Sequence, residues 1–417
     1  MTLLQSGLAK SVADDAYTID QSLRFNAADN PYLSGTYSGA DATAATWSWW
    51  CKLSAIETEQ YFGWWGGYSH VSAPGYSYFA IDGRGQLDQF CYSGTTELSI
   101  GEKRSEGKHR DPSAWYHFVV AIDTTDAVAA DRIKLYINGV RVTVFASGKD
   151  VNPDQDVGLA FDRGSARMLI SAQVNGSDVI TTNYPINGYL AEYYFIQGTQ
   201  YAASDFGELD EDTNQWIPKD AKDNLTFGTN GFLLDFADSS DFGKDVSGEG
   251  NDLTANNLAA TDQVKDSPTN NFCTLNPLIP FTTGSPTYRE GNLEAEYPSN
   301  NQEGLAGTIG VPSGKWYWEI NIIEGAEHVI GVVGDNSSLI WDGGANQYLA
   351  SSAIMYEDGG SVYTDGSGAA TFAGYTAGDI MGLALNVDDS EITFYKNNSS
   401  QGTSSFGTNL TAASFVT

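Results

Sequence analysis

The stretch GKWYWEI at residues 314–320 sets three large aromatic side chains beside a carboxylate, and it continues as NIIEG. Glu319 and Glu324 thus flank Asn321 on one short run. Two carboxylates on one strand could cleave a glycosidic bond, one serving as nucleophile or base and the other as acid. The aromatic rings could stack on sugar. Strand alternation offers a plainer reading. Trp316, Trp318 and Ile320 would share a buried face, and Lys315, Tyr317 and Glu319 would lie opposite.

A second candidate is YFGWWGGYSHVSAPGYSYF at residues 61–79. Residues 61–65 read as a strand, on which the adjacent Trp64 and Trp65 must point to opposite faces. One indole is expected in the core and the other in the open or at an interface. With Tyr68 on the following loop, Trp64 and Trp65 form the candidate ligand-binding set, suited to stacking on glycan rings. His70, His109, His117 and His328 show no metal-ligand spacing, and His117 sits in an alternating run as a structural residue. There is no HExxH, nucleophile elbow, phosphate loop or dinucleotide fingerprint. The loop DVNPDQD at residues 150–156 carries oxygen ligands that calcium could use, but its spacing is not that of an EF-hand. A solvated loop is the simpler account, so metal binding stays open. No catalytic set and no cofactor are expected.

The bulk numbers narrow the field. The 417 residues suit two or three domains, and 53 acids against 21 bases leave a net charge of −32. Such a chain repels phosphate backbones and anionic bilayers, so neither nucleic acid nor membrane is an expected partner. Cys51, Cys91 and Cys273 are too few and too widely spaced for a disulfide framework, which suggests buried free thiols made in a reducing cytoplasm. The opening MTLLQSGLAKSVADDAYTID has neither a basic start nor a long apolar run, so no secretory signal is expected.

Alternation with period two dominates the chain. In IKLYINGVRVTVF, Ile133, Leu135 and Ile137 share a face. Asn138 and Gly139 supply a type I′ turn, and Val140, Val142 and Val144 return. The run MGLALNVDDSEITFYKNN predicts adjacent strands over 379–387 and 391–396. Further strands are expected in SLRFN, ATWSWWCKL, YSYFAID, QLDQFCY, AWYHFVVAI, ARMLISA, GYLAEYYFI, GFLLDFA and HVIGVVG. Helix signals are confined to a short turn in AASDFGELDED. The expected architecture is all-β, with two antiparallel sandwiches of jelly-roll type joined by an irregular bridge. Composition divides the chain into an N-terminal arm (1–17), a first sandwich (18–210), a bridging segment (211–290) and a second sandwich (291–417).

Residues 18–210 resemble the laminin G-like, concanavalin A-like lectin family. SLRFN, ATWSWWCKLS, the segment with Trp115, His117, Tyr136, Asn138 and Gly139, and the closing run 188–196 occur in the family's order. Residues 291–417 resemble a SPRY domain through GKWYWEI, HVIGVVGD and AGDIMGLALNVDDSEITFYKNN. SPRY-like sandwiches continue further past the FYKN strand than this chain does. The second sandwich is therefore expected to be incomplete: either residues 410–417 begin its missing strand and the natural chain continues, or a neighbouring subunit donates it. Lectin-fold glucanases of glycoside hydrolase family 16 carry Glu-x-Asp-x-x-Glu on one bulged strand. Here Glu319 and Glu324 match the outer positions and Asn321 replaces the Asp, which weighs against catalysis.

The paired blocks together resemble structural proteins of tailed bacteriophages, especially marine ones. That resemblance implies a virion component made in the host cytoplasm, such as a tail fibre or other appendage. Its expected partners are further copies of itself, as a trimer, other virion proteins, and host surface glycan. A glycan hydrolase on a lectin-like fold and a cellular carbohydrate-binding module are the alternatives.

Overall fold

The structure, a computed structural model, describes residues 2–4, 17–37, 42–56, 58–66, 76–93, 99–158, 166–175, 179–279, 286–296, 305–324, 328–334, 353–407 and 413–416. Among these residues it is all-β, with antiparallel strands and single 3-10 turns, including one at Ala203–Asp205 in the expected place. The chain forms two compact units. One comprises residues 9–271, and the other residues 1–8 with 272–417.

In the first unit, sheet one runs in the order Val140–Arg141, Ile133–Ile137, Trp115–Asp123, Ala44–Leu53, Gly188–Gln197, Ser22–Phe25, Gln263–Val264. Phe232–Leu234 also pairs with Gly188–Gln197. Sheet two runs Phe145–Val151, Ser99–Ser105, Leu87–Ser93, Tyr76–Ile81, Gln60–Gly66, Ala166–Ile170, Tyr32–Tyr37, Thr254–Asn256. The core holds inward rings from both sheets. Trp47, Trp49, Phe118, Tyr193 and Phe195 come from sheet one, and Phe62, Trp65 and Phe79 from sheet two. These rings stack or meet edge to face, as in the Trp47–Trp65 contact at 5.1 Å between centroids.

The Asn138–Gly139 turn forms as expected, with φ of 47° and 79°. The return strand is shorter than the alternation predicts. It stops at Arg141, because the chain then crosses to sheet two as Phe145–Val151, and Val140 and Val144 stay exposed. The bridge also differs from expectation. Residues 211–271 fold into the first unit, where Phe232–Leu234, Thr254–Asn256 and Gln263–Val264 all take places in its sheets. Residues 272–290 belong to the second unit. The polar composition of this stretch hid strands of only two or three residues, too short to show alternation.

The second unit has a sheet in the order Thr287–Arg289, Glu294–Glu296, Thr2–Leu4, Lys315–Asn321, Ile380–Asn386, Glu391–Lys396, Ser399–Ser405. Its other sheet runs Ala306–Val311, Ala413–Val416, Val329–Val333, Ala353–Glu357, Ser361–Thr364, Ser367–Thr371. The C-terminal hairpin has the expected register, Leu383 opposite Phe394 and Leu385 opposite Ile392. Two findings correct the sequence reading. The polar run after Lys396 is a strand, and Ala413–Val416 fills the slot between Ala306–Val311 and Val329–Val333. Ala413–Val416 lies within the stretch 410–417 expected to begin that strand. The expected N-terminal arm likewise contributes a strand, with Leu3 opposite Ile320 and Leu4 opposite Glu319.

Candidate functional site

The Lys315–Asn321 strand alternates as its pattern suggests. Trp318 and Ile320 are in the core, and Trp316 packs against it. The opposite face carries Tyr317, whose hydroxyl donates to Glu319 Oε1 at 2.7 Å. The strand ends at Asn321, so Glu324 lies beyond it, where its backbone oxygen contacts His328 Nε2 at 2.9 Å. The two carboxylates do not share a strand, as paired glycosidase acids on such a motif must.

A second arrangement invites a catalytic reading and then excludes it. On the outer face of sheet one, Ser48 Oγ lies 2.8 Å from His117 Nε2, as a nucleophile lies beside its base. His117 Nδ1, however, accepts from the Trp216 indole N–H at 2.9 Å. That fixes the proton on Nε2, which therefore donates to Ser48 and cannot take its proton. Burial holds the His117 pKa down to about 3. The ring is sealed between Trp50 and Trp216, at 4.7 and 6.0 Å.

The rest of that face is equally closed. Lys52 Nζ pairs with Asp266 Oδ2 and with Asn271 Oδ1, both at 2.9 Å. Asp266 Oδ1 accepts from the Trp115 indole at 2.9 Å. The Ser22 hydroxyl donates to the Asp266 carbonyl at 2.6 Å. These bonds strap the 263–271 segment onto the sheet. Further along, a bulge between Ala191 and Tyr194 places Glu192 at φ 43°. Its carboxyl accepts from the Tyr17 and Tyr194 hydroxyls. Burial, with Asp235 and Asp220 nearby, pushes its pKa up to about 7 against the opposing pull of the two tyrosines.

The outer face of sheet two is different. A bulge makes Tyr61 pair with Ala80 and Gly63 with Phe79, leaving Phe62 as the extra residue. A Cβ on Gly63 would lie 1.9 Å from the Trp65 ring, so only glycine permits this packing. The bulge turns Phe62 and Trp65 into the core and Tyr61 and Trp64 outward. Cross-strand pairing then builds two rows. Glu102, Phe90, Tyr78, Trp64 and Leu169 form one, and Arg104, Asp88, Ala80 and Tyr61 the other. The rings lie nearly parallel, with Tyr61–Tyr78 at 5.1 Å and Tyr78–Phe90 at 5.5 Å. Tyr184 packs on Tyr61 at 4.7 Å. Tyr78, Phe90 and Tyr184 keep part of their surface exposed.

Charge lies along one side of this platform. Arg104 Nη2 meets Asp88 Oδ2 at 2.6 Å, and Arg104 Nη1 lies 3.7 Å from Asp82. Lys149 pairs with Glu102 at 2.5 Å. Asp88 is 0 % exposed, yet its Oδ1 has no hydrogen-bond partner in the protein, nor have Arg104 Nε and Trp64 Nε1. Burial raises the pKa of Asp88 against the pull of Arg104. Burial also raises that of Glu59, with Asp88 adding to the effect. The half-open rings of Tyr78, Phe90 and Tyr184 can stack on the flat face of a ligand such as a sugar.

The expected open indole is found at neither position, since Trp64 is 2 % and Trp65 0 % exposed. Trp64 lies on the platform, under Leu169 and its neighbours, and Trp65 lies in the core. Tyr68 and His70 fall outside the described residues. Sequence inspection missed Tyr78, Asp88, Phe90 and Arg104. Their signal was the alternation of Asp88 with Phe90 and of Tyr76 with Tyr78, but only strand register joins them. Asp150 of the proposed calcium loop pairs instead with Lys103. Among the described residues, no group of three or more His, Cys, Asp and Glu side chains could hold a metal ion. Cys51 and Cys91 are buried thiols, and burial pushes Cys91 up to about 11.

Residues 315–412 match the family model for the SPRY domain. That span sits within the second unit and covers less than half of the chain. No curated protein matches the chain. Three solved structures are similar in fold. Mouse laminin alpha1 domains LG4-5 share 10 % identity, with 98 % of this chain and 86 % of that chain covered, at a TM-score of 0.32. A native heptameric SAP-like pentraxin from Limulus polyphemus shares 12 %, covering 46 % and 75 %, at 0.28. The human HERC1 SPRY domain shares 21 %, covering 28 % and 73 %, at 0.23. These likenesses are too weak to carry any argument about ligand or partner.

Proposed function

We propose that this protein is a non-enzymatic glycan-binding component of a phage particle, a tail fibre or similar appendage. The observation that carries the binding is the outer face of sheet two. There Tyr78, Phe90 and Tyr184 keep part of their rings open in a stacked row. Flat, part-exposed aromatic faces suit stacking on the apolar faces of sugar rings. The separated Glu319 and Glu324 and the fixed tautomer of His117 support the non-enzymatic reading. The virion role rests on the sequence alone, on a laminin G-like block followed by a SPRY-like one. The protein acts there as a homo-oligomer, a trimer in the simplest closed form, alongside other virion proteins.

A glycan array probed with the wild-type chain should give bound spots, and Tyr78→Ala or Phe90→Ala should weaken them about tenfold, the equivalent of about 1.4 kcal/mol. Host envelope polysaccharide should be left uncleaved. Clear turnover abolished by Glu319→Gln would sink the non-enzymatic reading. Peptide mass spectrometry of purified virions decides the location, and a chain found only in uninfected cells would point to a cellular carbohydrate-binding module.

A further inference from the structure

The strap on sheet one holds three side chains whose chemistry goes beyond an ion pair. Lys52 lies on Ala44–Leu53, the middle strand of that sheet, and its side chain is 1 % exposed. Its Nζ donates to Asp266 Oδ2 and to Asn271 Oδ1, both at 2.9 Å. Asn271 Cγ is one carbonyl bond of about 1.2 Å from that oxygen, so it lies within about 4 Å of the amine. The other end of the amide is also held, because Asn271 Nδ2 donates to the Ser113 carbonyl at 2.7 Å. The two bonds fix which atom of Asn271 faces the lysine.

Asp266 completes the set. It is wholly buried, and the Trp115 indole bonded to Oδ1 leaves Oδ2 turned to Nζ. Trp115 and Tyr189, both buried, sit opposite Lys52 on the two neighbouring strands. An amine is thus held against a primary amide, away from water, beside a carboxyl that can carry protons. That arrangement can make an amide bond without an outside reagent.

We infer that Lys52 and Asn271 join in an intramolecular isopeptide bond, with Asp266 as the proton relay. Asp266 takes a proton from the Lys52 ammonium, and the freed lone pair attacks Asn271 Cγ. The Nζ–Cγ bond forms and the Cγ–Nδ2 bond breaks. Two protons pass, one at a time, from Nζ through Asp266 to Nδ2, which leaves as ammonium. Asp266 returns to a carboxylate, and no oxidant or cofactor takes part. Burial favours this course, because a buried ion pair is costly and the product is a neutral amide. Asn271 is only half-buried, which gives the ammonium a way out. The bond fastens the last residue of the first unit to the middle of its sheet. The chain runs on from Asn271 into the second unit, so tension along it bears on a covalent joint rather than on hydrogen bonds.

Mass spectrometry of the full chain tests this. The intact mass should fall short of the sequence by one ammonia. Trypsin cannot cut after an amidated Lys52, so residues 25–84 should appear joined to residues 266–289, with the joint on Asn271. Asn271→Ala and Asp266→Asn should each restore the full mass and release the two segments separately. If Asp266→Asn does not fold, the wild-type map and the half-buried Asn271→Ala decide. Asn271→Ala keeps the ion pair without the joint, so it is also the reference against which the lost charge in Asp266→Asn is weighed. A wild-type chain of full mass, cut normally after Lys52, would overturn the inference. So would a deficit of one water with the joint on Asp266, or an ammonia deficit with no joined peptide. A joint that persists in Asp266→Asn would overturn the relay.

Discussion

The two outer faces of the first sandwich each bury an aspartate beside a base, but they treat it differently. On sheet one, Asp266 spends both carboxylate oxygens, one on Lys52 and one on the Trp115 indole. On sheet two, Asp88 spends one on Arg104 and keeps the other unmet. The segments 201–227 and 263–271 of the same chain cover sheet one and complete its hydrogen bonds. Among the described residues, the Gln173–Val174 and Ile180–Thr181 hairpin and Tyr184 cover part of sheet two. Polar groups that the fold satisfies hold the fold together. On sheet two one carboxylate oxygen stays without such a bond, so the two aspartates differ in how far the fold depends on them.

The sharpest break in that comparison is Asp266→Asn. It removes the negative charge from a pair in which both side chains are almost wholly buried. Lys52 would keep its charge with only neutral partners, and breaking a buried pair from one side costs about 3–5 kcal/mol. Chemical denaturation should show the first sandwich destabilised by that amount. A loss below about 1 kcal/mol, the scale of an exposed pair, would mean that the strap on sheet one is no stronger than a surface contact.

The second effect in size is the pH dependence set on sheet one by Glu192. Its folded pKa of about 7 lies above its ordinary value of 4.5. The folded state then holds a proton that the unfolded chain releases between those values. The stability this contributes is fully present below about 4.5 and is lost as the pH rises through 7. Across that window it amounts to about 3 kcal/mol. His117 works in the opposite sense. Its pKa is depressed to about 3, so stability is lost as the pH falls from 6.5 towards 3. Glu192→Gln should remove the first contribution alone. Denaturation midpoints should then lie close to wild type in acid, where Glu192 is protonated and Gln is its neutral counterpart, and above wild type at pH values beyond about 7, where wild type buries the charge. Parallel curves would show that the Tyr17 and Tyr194 hydroxyls already satisfy the carboxylate as an ion.

Much of the fold was legible because the longer strands alternate cleanly. Ala44–Leu53, Trp115–Asp123 and Ile380–Asn386 all appear where their patterns place them. The short strands Phe232–Leu234 and Gln263–Val264 were not legible, because two or three residues cannot display a period. The strands at the chain termini, Thr2–Leu4 and Ala413–Val416, were hidden by the distance in sequence to their neighbours. The candidate site was legible only at Trp64. That adjacent tryptophans face opposite ways was readable from the pleat. That both are buried was not, since it depends on Leu169 and its neighbours, a hundred residues downstream. Asp88 and Arg104 look like ordinary surface charges until register sets them opposite each other.

The smallest expected effect sharpens the comparison most. Asp88→Asn resembles Asp266→Asn in chemistry, in burial and in its loss of an ion pair. Burial, however, holds the Asp88 pKa above its ordinary value despite Arg104. The folded state therefore disfavours this charge on balance, and removing it relieves a cost. Arg104 also keeps Asp82 at 3.7 Å, so it is not stranded as Lys52 would be. The sign follows from linkage. A raised carboxyl pKa takes stability away above that pKa, and Asn never ionises, so the variant should lose least at neutral pH and more in acid. Denaturation at neutral pH should place Asp88→Asn within about 1 kcal/mol of wild type. A loss as large as that of Asp266→Asn would show that sheet two depends on this carboxylate for folding, and the distinction between the two faces would collapse.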